Sequence, residues 1–153
     1  MVLMMRHGES TWNAVGRMQW QDPRPPLTER GRAQVADAAE RLVGLVTFVV
    51  TSPAVRATQS AAIVGERLGL APVEDSRLVE LGQEETTEEL ASRLQEVVRA
   101  DLPSGTLFVT HGDVLAHAAR LLAGVDLPVP ANAAVVRLTP GRTPTRWTLD
   151  ALF

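Results

Sequence analysis

The chain has 153 residues, of which 45% are hydrophobic and 22% charged, with a formal net charge of −3. This profile predicts a globular protein with one domain over residues 1–153, long enough to form a core without disulfides or a structural metal. The absence of cysteine excludes disulfide bonds, thiolate catalysis and cysteine-based zinc sites. Because the charge is negative and no apolar run approaches the roughly 20 residues that span a bilayer, we expect a cytoplasmic protein without nucleic-acid or membrane partners.

The first predicted strand is Val2–Met5, a short apolar run that ends directly before Arg6. The Pro-rich stretch at residues 22–26 then indicates a surface loop. A helix is predicted after this loop because apolar residues recur at the spacing of one helical face, namely Val35, Ala38, Ala39 and Leu42.

The middle of the chain repeats this alternation of strand and helix. A second strand is predicted at Phe48–Thr51, followed by a helix that ends at Gly69. Its apolar face consists of Ala57, Ala61, Val64 and Leu68. A further helix begins with Thr86 and Glu89 at capping-box spacing. Its apolar face consists of Leu90, Leu94, Val97 and Val98.

A third buried strand is predicted at Thr106–Thr110, followed by a helix that ends before Gly124. The apolar face of this helix consists of Leu115, Ala118, Ala119 and Leu122. Residues 134–138 and 146–149 flank Pro140-Gly141 and predict a closing hairpin. Strands that alternate with helices predict an α/β fold, a three-layer sandwich with a mostly parallel central sheet and helices on both faces.

Chemically reactive side chains follow the three buried strands. The first strand leads into Arg6-His7-Gly8, the second into Ser52-Pro53 with Arg56 shortly after, and the third into His111-Gly112. Ligands of such sheets bind beyond the carboxyl ends of the strands, so the topology predicts that two histidines and two arginines converge at one edge.

This set of residues predicts a phosphate site that contains a nucleophile. Arg6 and Arg56 can bind phosphate oxygens through paired N–H donors. Glycine after each histidine lets the backbone turn sharply and expose N–H groups to an anion. Histidine can form a covalent intermediate that divides one difficult step into two.

Four segments carry a resemblance to the histidine phosphatase superfamily, the phosphoglycerate-mutase-like proteins. The segment Arg6–Asn13 resembles the family's signature, and Leu27–Gln34 resembles the segment that opens its first helix. Ser52–Ala61 resembles the motif of its second arginine, and Val109–Gly112 resembles its second histidine motif. The motifs occur in family order, and the resemblance extends over about Val2 to Leu122.

The resemblance implies a role for each matching residue. His7 is the expected phosphorylated nucleophile, and Arg6, Arg56 and His111 are expected to hold the phosphoryl group. Further substrate contacts are expected from Asn13, Ser10, Gln19 and Gly112, and Trp20 lies where relatives line the pocket.

The general acid is less well defined by the sequence. The family's acid follows a leucine-x-glutamate pattern, which Leu78-Val79-Glu80 matches. The chain then departs from the family's usual continuation, because a tryptophan is missing and the spacing is contracted. Glu80 is the favoured candidate, with Glu84 or no side-chain acid as the alternatives.

The same contraction bears on the reaction. Thr86 already begins the next helix, so the cap that covers the pocket in longer relatives is nearly absent. Because a mutase must exclude water between its half-reactions, we expect a metal-independent phosphomonoesterase, a hydrolase of the histidine acid phosphatase type without a cofactor. We expect the substrate to be a phosphorylated small molecule or protein side chain, and the protein to be a monomer or homodimer.

Four alternatives remain open. They are a protein phosphohistidine phosphatase, a phosphotransferase of the phosphoglycerate mutase type, a non-catalytic anion-binding scaffold and a metallohydrolase. Two arginines would repel a cation in the same site, which argues against the metallohydrolase.

Overall fold

The computed structural model describes residues 1–141 and 147–153, which contain a six-stranded sheet. In chain order the strands are β1 (Val2–Arg6), β2 (Phe48–Thr51), β3 (Val73–Glu74), β4 (Thr106–Thr110), β5 (Val135–Pro140) and β6 (Trp147–Ala151). The spatial order is β3-β2-β4-β1-β5-β6. The three strands predicted before the hairpin are confirmed as β1, β2 and β4.

Helices connect most of these strands. They are α1 (Thr11–Ala14), α2 (Glu29–Leu42), α3 (Val55–Leu68), α4 (Thr87–Arg99) and α5 (Gly112–Ala118), with a 3-10 turn at Ser76–Leu78 and a π-helical turn at Ala119–Ala123. The predicted capping box of Thr86 and Glu89 is present at the start of α4. Within residues 1–141 and 147–153, no helix is both long and apolar enough to cross a membrane.

The sheet is mostly parallel, as the sequence predicted. Strands β1, β2 and β3 run parallel to their neighbours in the β3-β2-β4-β1 half. Strand β5 is antiparallel to β1 and pairs with β6 as an antiparallel partner, which confirms the closing pair of strands. Arg146, which the prediction included in that pair, lies outside the described residues.

Each face of the sheet is covered by a pair of helices. Alternate residues of β1 point to opposite faces, so Leu3 and Met5 pack with α2 and α3, whereas Met4 packs with α4 and α5. All three side chains are buried. The three-layer sandwich is therefore confirmed, and its central strands are apolar on both faces.

The structure differs from the prediction where the local signal is short. The last helix ends at Ala118, and the chain continues as the π-helical turn to Gly124, whose φ of 67° ends it in the left-handed region. The predicted apolar face over Leu115–Leu122 therefore spans an α-helix and a π turn. Helix α1 and strand β3 have too few residues to produce a periodic pattern, and the sequence did not predict them.

A close backbone contact fixes the loop that follows β1. A Cβ atom on Gly8 would collide with the carbonyl oxygen of Gly31, which lies in the first turn of α2. The Gly8 N–H group donates to Ser60 Oγ of α3 over 3.1 Å. Both neighbouring helices therefore position the chain directly after His7.

We expect Gly8→Ala to lower the free energy of unfolding by about 2–3 kcal/mol, because the added methyl group forces backbone atoms apart. The matched control is Gly82→Ala, whose Cβ would approach the side chain of Gln21 at 3.2 Å and not rigid backbone. Urea unfolding of both variants measures the difference. Equal, small losses would contradict the proposed backbone contact.

Candidate active site

The carboxyl ends of β1, β2 and β4 bring the two predicted histidines together. The His7 N–H group donates to the Thr110 carbonyl over 2.9 Å, which holds the end of β1 beside the end of β4. The ring centroids of His7 and His111 are 5.2 Å apart, with the rings at 67°. The convergence predicted from the topology is therefore present.

His7 is buried and has a defined tautomer. Its Nδ1 lies 2.6 Å from the Gly8 carbonyl oxygen, which can only accept a hydrogen bond. The proton must therefore be on Nδ1, and Nε2 carries the lone pair. Burial, assisted by the charges of Arg56 and Arg6, lowers the pKa of His7 to about 3, so the ring is neutral near pH 7.

Arg56, in the first turn of α3, is completely buried. Its guanidinium group donates to the carbonyl of Asp22 over 2.7 Å, to that of Trp20 over 3.1 Å, and to Glu80 Oε2 over 2.7 Å. Trp20 has a φ of 49°, in the left-handed region that bulky residues rarely adopt. The loop after α1 is therefore tied to this arginine by two backbone oxygens.

The side chains of Arg6 and His111 each make one hydrogen bond within the described part of the chain. Arg6 Nη1 donates to the carbonyl of Pro130 over 2.6 Å, and His111 Nε2 lies 2.9 Å from Ser52 Oγ. Burial, together with the nearby His7 and arginines, lowers the pKa of His111 well below its ordinary value, so this ring is also neutral. A Ser52 hydroxyl that donates to Nε2 leaves the proton on Nδ1 of His111.

Three buried nitrogen atoms have no hydrogen-bond partner within the described part of the chain. They are Arg6 Nε, Arg56 Nε and His111 Nδ1. Buried polar atoms in native proteins are nearly always paired, so three such atoms in neighbouring residues are unusual. An anion with several acceptor oxygens would satisfy all three donors.

Glu80 borders the same site. Its Oε2 atom accepts from Arg56 and lies 3.9 Å from His111 Nδ1. Burial is the largest cause that raises the pKa of Glu80 to about 7, with the charge of Asp113 second, while Arg56 acts in the opposite direction. Glu84, the alternative acid, is exposed and does not border the cavity described below.

Three of the expected substrate contacts, Ser10, Asn13 and Gln19, have structural partners of their own. Ser10 caps α1 and forms a capping box with Asn13, and its hydroxyl also donates to Gln19 Oε1. The Asn13 side chain additionally accepts from Asn132 over 3.2 Å. Gly112 lies so close to Arg6 that an added Cβ would approach the arginine's Nε at 3.1 Å.

A cavity of about 380 Å³ lies beside this site, where Arg6 and Glu80 border it. It is lined by Arg6, Asn13, Arg17, Met18, Gln19, Trp20, Glu80, Leu81, Gly112, Asp113 and Val129. Asp113 was not identified from the sequence as a site residue. Its position directly after the predicted His111-Gly112 step was the signal that could have done so. Met18 and Val129 gave no such signal, because loops without periodicity bring them to the cavity.

Comparison with known proteins identifies related sequences and folds. The model of the histidine phosphatase superfamily (branch 1) matches residues 2–102. The probable phosphoglycerate mutase GpmB of Cronobacter sakazakii is 40% identical over 81 residues, which cover 52% of this chain but 37% of that protein. The match thus spans just over a third of the length of this relative.

Two solved structures share the fold over nearly the whole chain. Mycobacterial glucosyl-3-phosphoglycerate phosphatase in complex with VO3 is 27% identical, has a TM-score of 0.79, and matches over 98% of this chain and 97% of its own. The protein histidine phosphatase SixA, complexed with tungstate, is 24% identical and has a TM-score of 0.73 over 97% and 93%. The SixA likeness concerns the fold alone.

Proposed function

Because the chain belongs to the histidine phosphatase superfamily, whose members include phosphatases and mutases, we propose that it hydrolyses phosphomonoesters through a phosphohistidine intermediate on His7. The observation that supports this proposal most directly is that three buried nitrogen atoms, Arg6 Nε, Arg56 Nε and His111 Nδ1, have no hydrogen-bond partner in the described part of the chain, and all three donate when the His111 proton is on Nδ1. These donors match the oxygens of a phosphoryl group, and they adjoin a neutral histidine.

In the first step, His7 Nε2 attacks the phosphorus atom, and the bond to the leaving oxygen breaks. Glu80 gives its proton to that oxygen, so the alcohol leaves neutral. The Gly8 carbonyl keeps its hydrogen bond from Nδ1 and stabilises the ring as it becomes positive. Arg6, Arg56 and His111 bind the equatorial oxygens of the phosphoryl group during its transfer.

In the second step, a water molecule attacks the phosphorus atom and the bond to His7 Nε2 breaks. The Glu80 carboxylate accepts the proton from this water, which returns it to its starting form. Inorganic phosphate then leaves with the histidine neutral again. Each residue therefore completes the cycle unchanged.

Hydrolysis is favoured over phosphoryl transfer to a second alcohol. Only residues 79–86 connect the 3-10 turn to α4, so this connection is too short to form a large cap. Water can then reach the intermediate between the two steps. The similarity to a mycobacterial phosphatase supports the same reaction type.

A phosphohistidine side chain of another protein is the second candidate substrate. Met18 is 63% exposed and Val129 is 60% exposed, and both line the cavity. Both side chains are therefore available to contact a partner protein that presents the phosphorylated residue. The cavity nevertheless has the volume of a small-molecule site, so the small phosphomonoester remains our first proposal.

The test uses 4-nitrophenyl phosphate, phosphohistidine and 3-phosphoglycerate as separate substrates, each with and without EDTA. Phosphate release from the aryl ester supports the proposed hydrolase. Release from phosphohistidine alone supports the second candidate. Isomerisation of phosphoglycerate without phosphate release would indicate a mutase and contradict the proposed hydrolase. Loss of all turnover in EDTA would contradict a metal-independent reaction.

We expect Glu80→Gln to slow esters with poor leaving groups by about 100-fold or more, and activated aryl esters by less than about tenfold. An alkoxide needs the proton from Glu80, whereas 4-nitrophenolate leaves without one. The measurement compares kcat/KM for benzyl phosphate and 4-nitrophenyl phosphate. Equal slowing of both esters would remove Glu80 from the role of general acid.

A further inference from the structure

Glu80 has neighbours that oppose the role proposed for it. A general acid must hold a proton, but the carboxylate of Glu80 accepts a 2.7 Å hydrogen bond from the buried Arg56. The charge of Arg6 acts on it in the same direction. Positive neighbours favour the ionised carboxylate, so another group is needed to favour the protonated form.

Asp113, in the first turn of α5, lines the same cavity as Glu80. Its Oδ2 atom accepts the N–H group of Leu81 over 2.8 Å, and Leu81 is the residue directly after Glu80. Its Oδ1 atom accepts the N–H group of Val114 over 2.8 Å. Within residues 1–141 and 147–153, both of its hydrogen bonds are therefore to backbone groups and leave its charge without a bound cation.

We propose that Asp113 is a positioning residue for Glu80, which anchors the backbone beside the acid and, through its negative charge, favours the protonated carboxyl group. The inference rests on the proposed role of Glu80 as general acid. Two carboxylates that line one cavity disfavour each other's ionisation, as in other enzymes that keep a carboxylic acid protonated.

The charged groups around Glu80 act on its carboxyl group in opposite directions, and Arg93 on α4, which donates to the Glu80 carbonyl oxygen over 3.2 Å, is itself paired with Glu85. Arg6 at the end of β1 and Arg56 on α3 favour its ionised form, whereas Asp113 on α5 favours the protonated form. His7 and His111 are neutral near pH 7, since burial lowers the pKa of both rings. Without the Asp113 charge, burial still raises the pKa of Glu80, but the two arginines lower it. The pKa of Glu80 therefore falls.

The discriminating variant is Asp113→Asn, because the asparagine oxygen can still accept from Leu81 while the charge is lost. We expect the basic limb of the kcat/KM profile for benzyl phosphate to move down by about one pH unit. This shift gives about tenfold lower kcat/KM at pH 8.5 and a change within about twofold at pH 5. The activity falls as pH rises because the general acid must be protonated to act, and a lower pKa of Glu80 moves this loss to lower pH.

Two further variants separate the outcomes. Glu80→Gln should remove the basic limb, and a limb that persists in this variant overturns both the acid role and the inference built on it. If Glu80→Gln removes the limb while Asp113→Asn leaves it in place, only the role of Asp113 is overturned. A uniform loss at every pH in Asp113→Asn also overturns the charge effect, because it indicates a structural role alone.

Asp126→Asn is the matched control for the loss of one negative charge. Asp126 is 84% exposed and pairs with the exposed Arg120, outside the cavity. We expect an unchanged pH profile in this variant. A shift as large as that of Asp113→Asn would attribute the effect to net charge and overturn the inference.

Discussion

His7→Ala is expected to lose turnover of 4-nitrophenyl phosphate by on the order of 10⁴-fold or more, because the variant lacks the nucleophile. The variant should still bind inorganic phosphate, since Arg6, Arg56 and His111 retain their donors. Acid-labile, base-stable phosphate trapped on the wild-type protein in a quenched reaction should be absent from the variant.

His117→Gln is the matched control, because His117 is the third histidine of the chain, is half-buried on α5 and has no role in the proposed site. We expect wild-type turnover and wild-type phosphate labelling in this variant. Turnover that survives in His7→Ala would contradict the nucleophile assignment. Loss of phosphate binding together with turnover would show instead that the substitution disrupts the whole site.

The sequence predicted the scaffold of the site because its central strands are buried on both faces. Such strands are continuous apolar runs, and Val2–Met5 and Thr106–Thr110 stand out for this reason. Once these strands are recognised as parallel, their carboxyl ends must share one edge. The proximity of His7 and His111 follows from this topology without any knowledge of side-chain contacts.

The loops carry the details that the sequence could not supply. Arg56 is held by carbonyl oxygens of Trp20 and Asp22, and which backbone oxygens reach it depends on a loop path without periodicity. The tautomer of His7 is fixed by the carbonyl of Gly8. The sequence could not identify this group, because any nearby acceptor could fill the same role. Contacts with backbone atoms leave no signature in residue identity.

The choice between the two candidate acids illustrates the same limit. Glu80 and Glu84 lie in one short acidic segment, and residue type alone does not separate them. The structure partly buries Glu80 against Arg56 and leaves Glu84 exposed. Desolvation, the main cause that raises the pKa of Glu80, depends on the tertiary fold and not on the local sequence.

Arg56→Ala is expected to lower the free energy of unfolding by about 3 kcal/mol and kcat/KM by on the order of 10³-fold. The guanidinium group is fully buried, so its loss leaves two carbonyl oxygens without a donor and a cavity around them. Glu80 also loses its ion pair, and proton uptake by this carboxyl group limits that part of the cost.

Arg67→Ala is a matched control on the same helix. Arg67 also pairs with a glutamate, Glu40, but the two side chains are 48% and 59% exposed, so water screens their interaction. We expect a loss below about 1 kcal/mol in urea unfolding and unchanged turnover. Similar losses in the two variants would mean that burial does not govern the contribution of Arg56.

Arg56→Lys tests the geometry further, because a single ammonium group cannot reproduce the planar contacts to Trp20, Asp22 and Glu80. Compared with Arg56→Ala, we expect it to restore stability more than turnover.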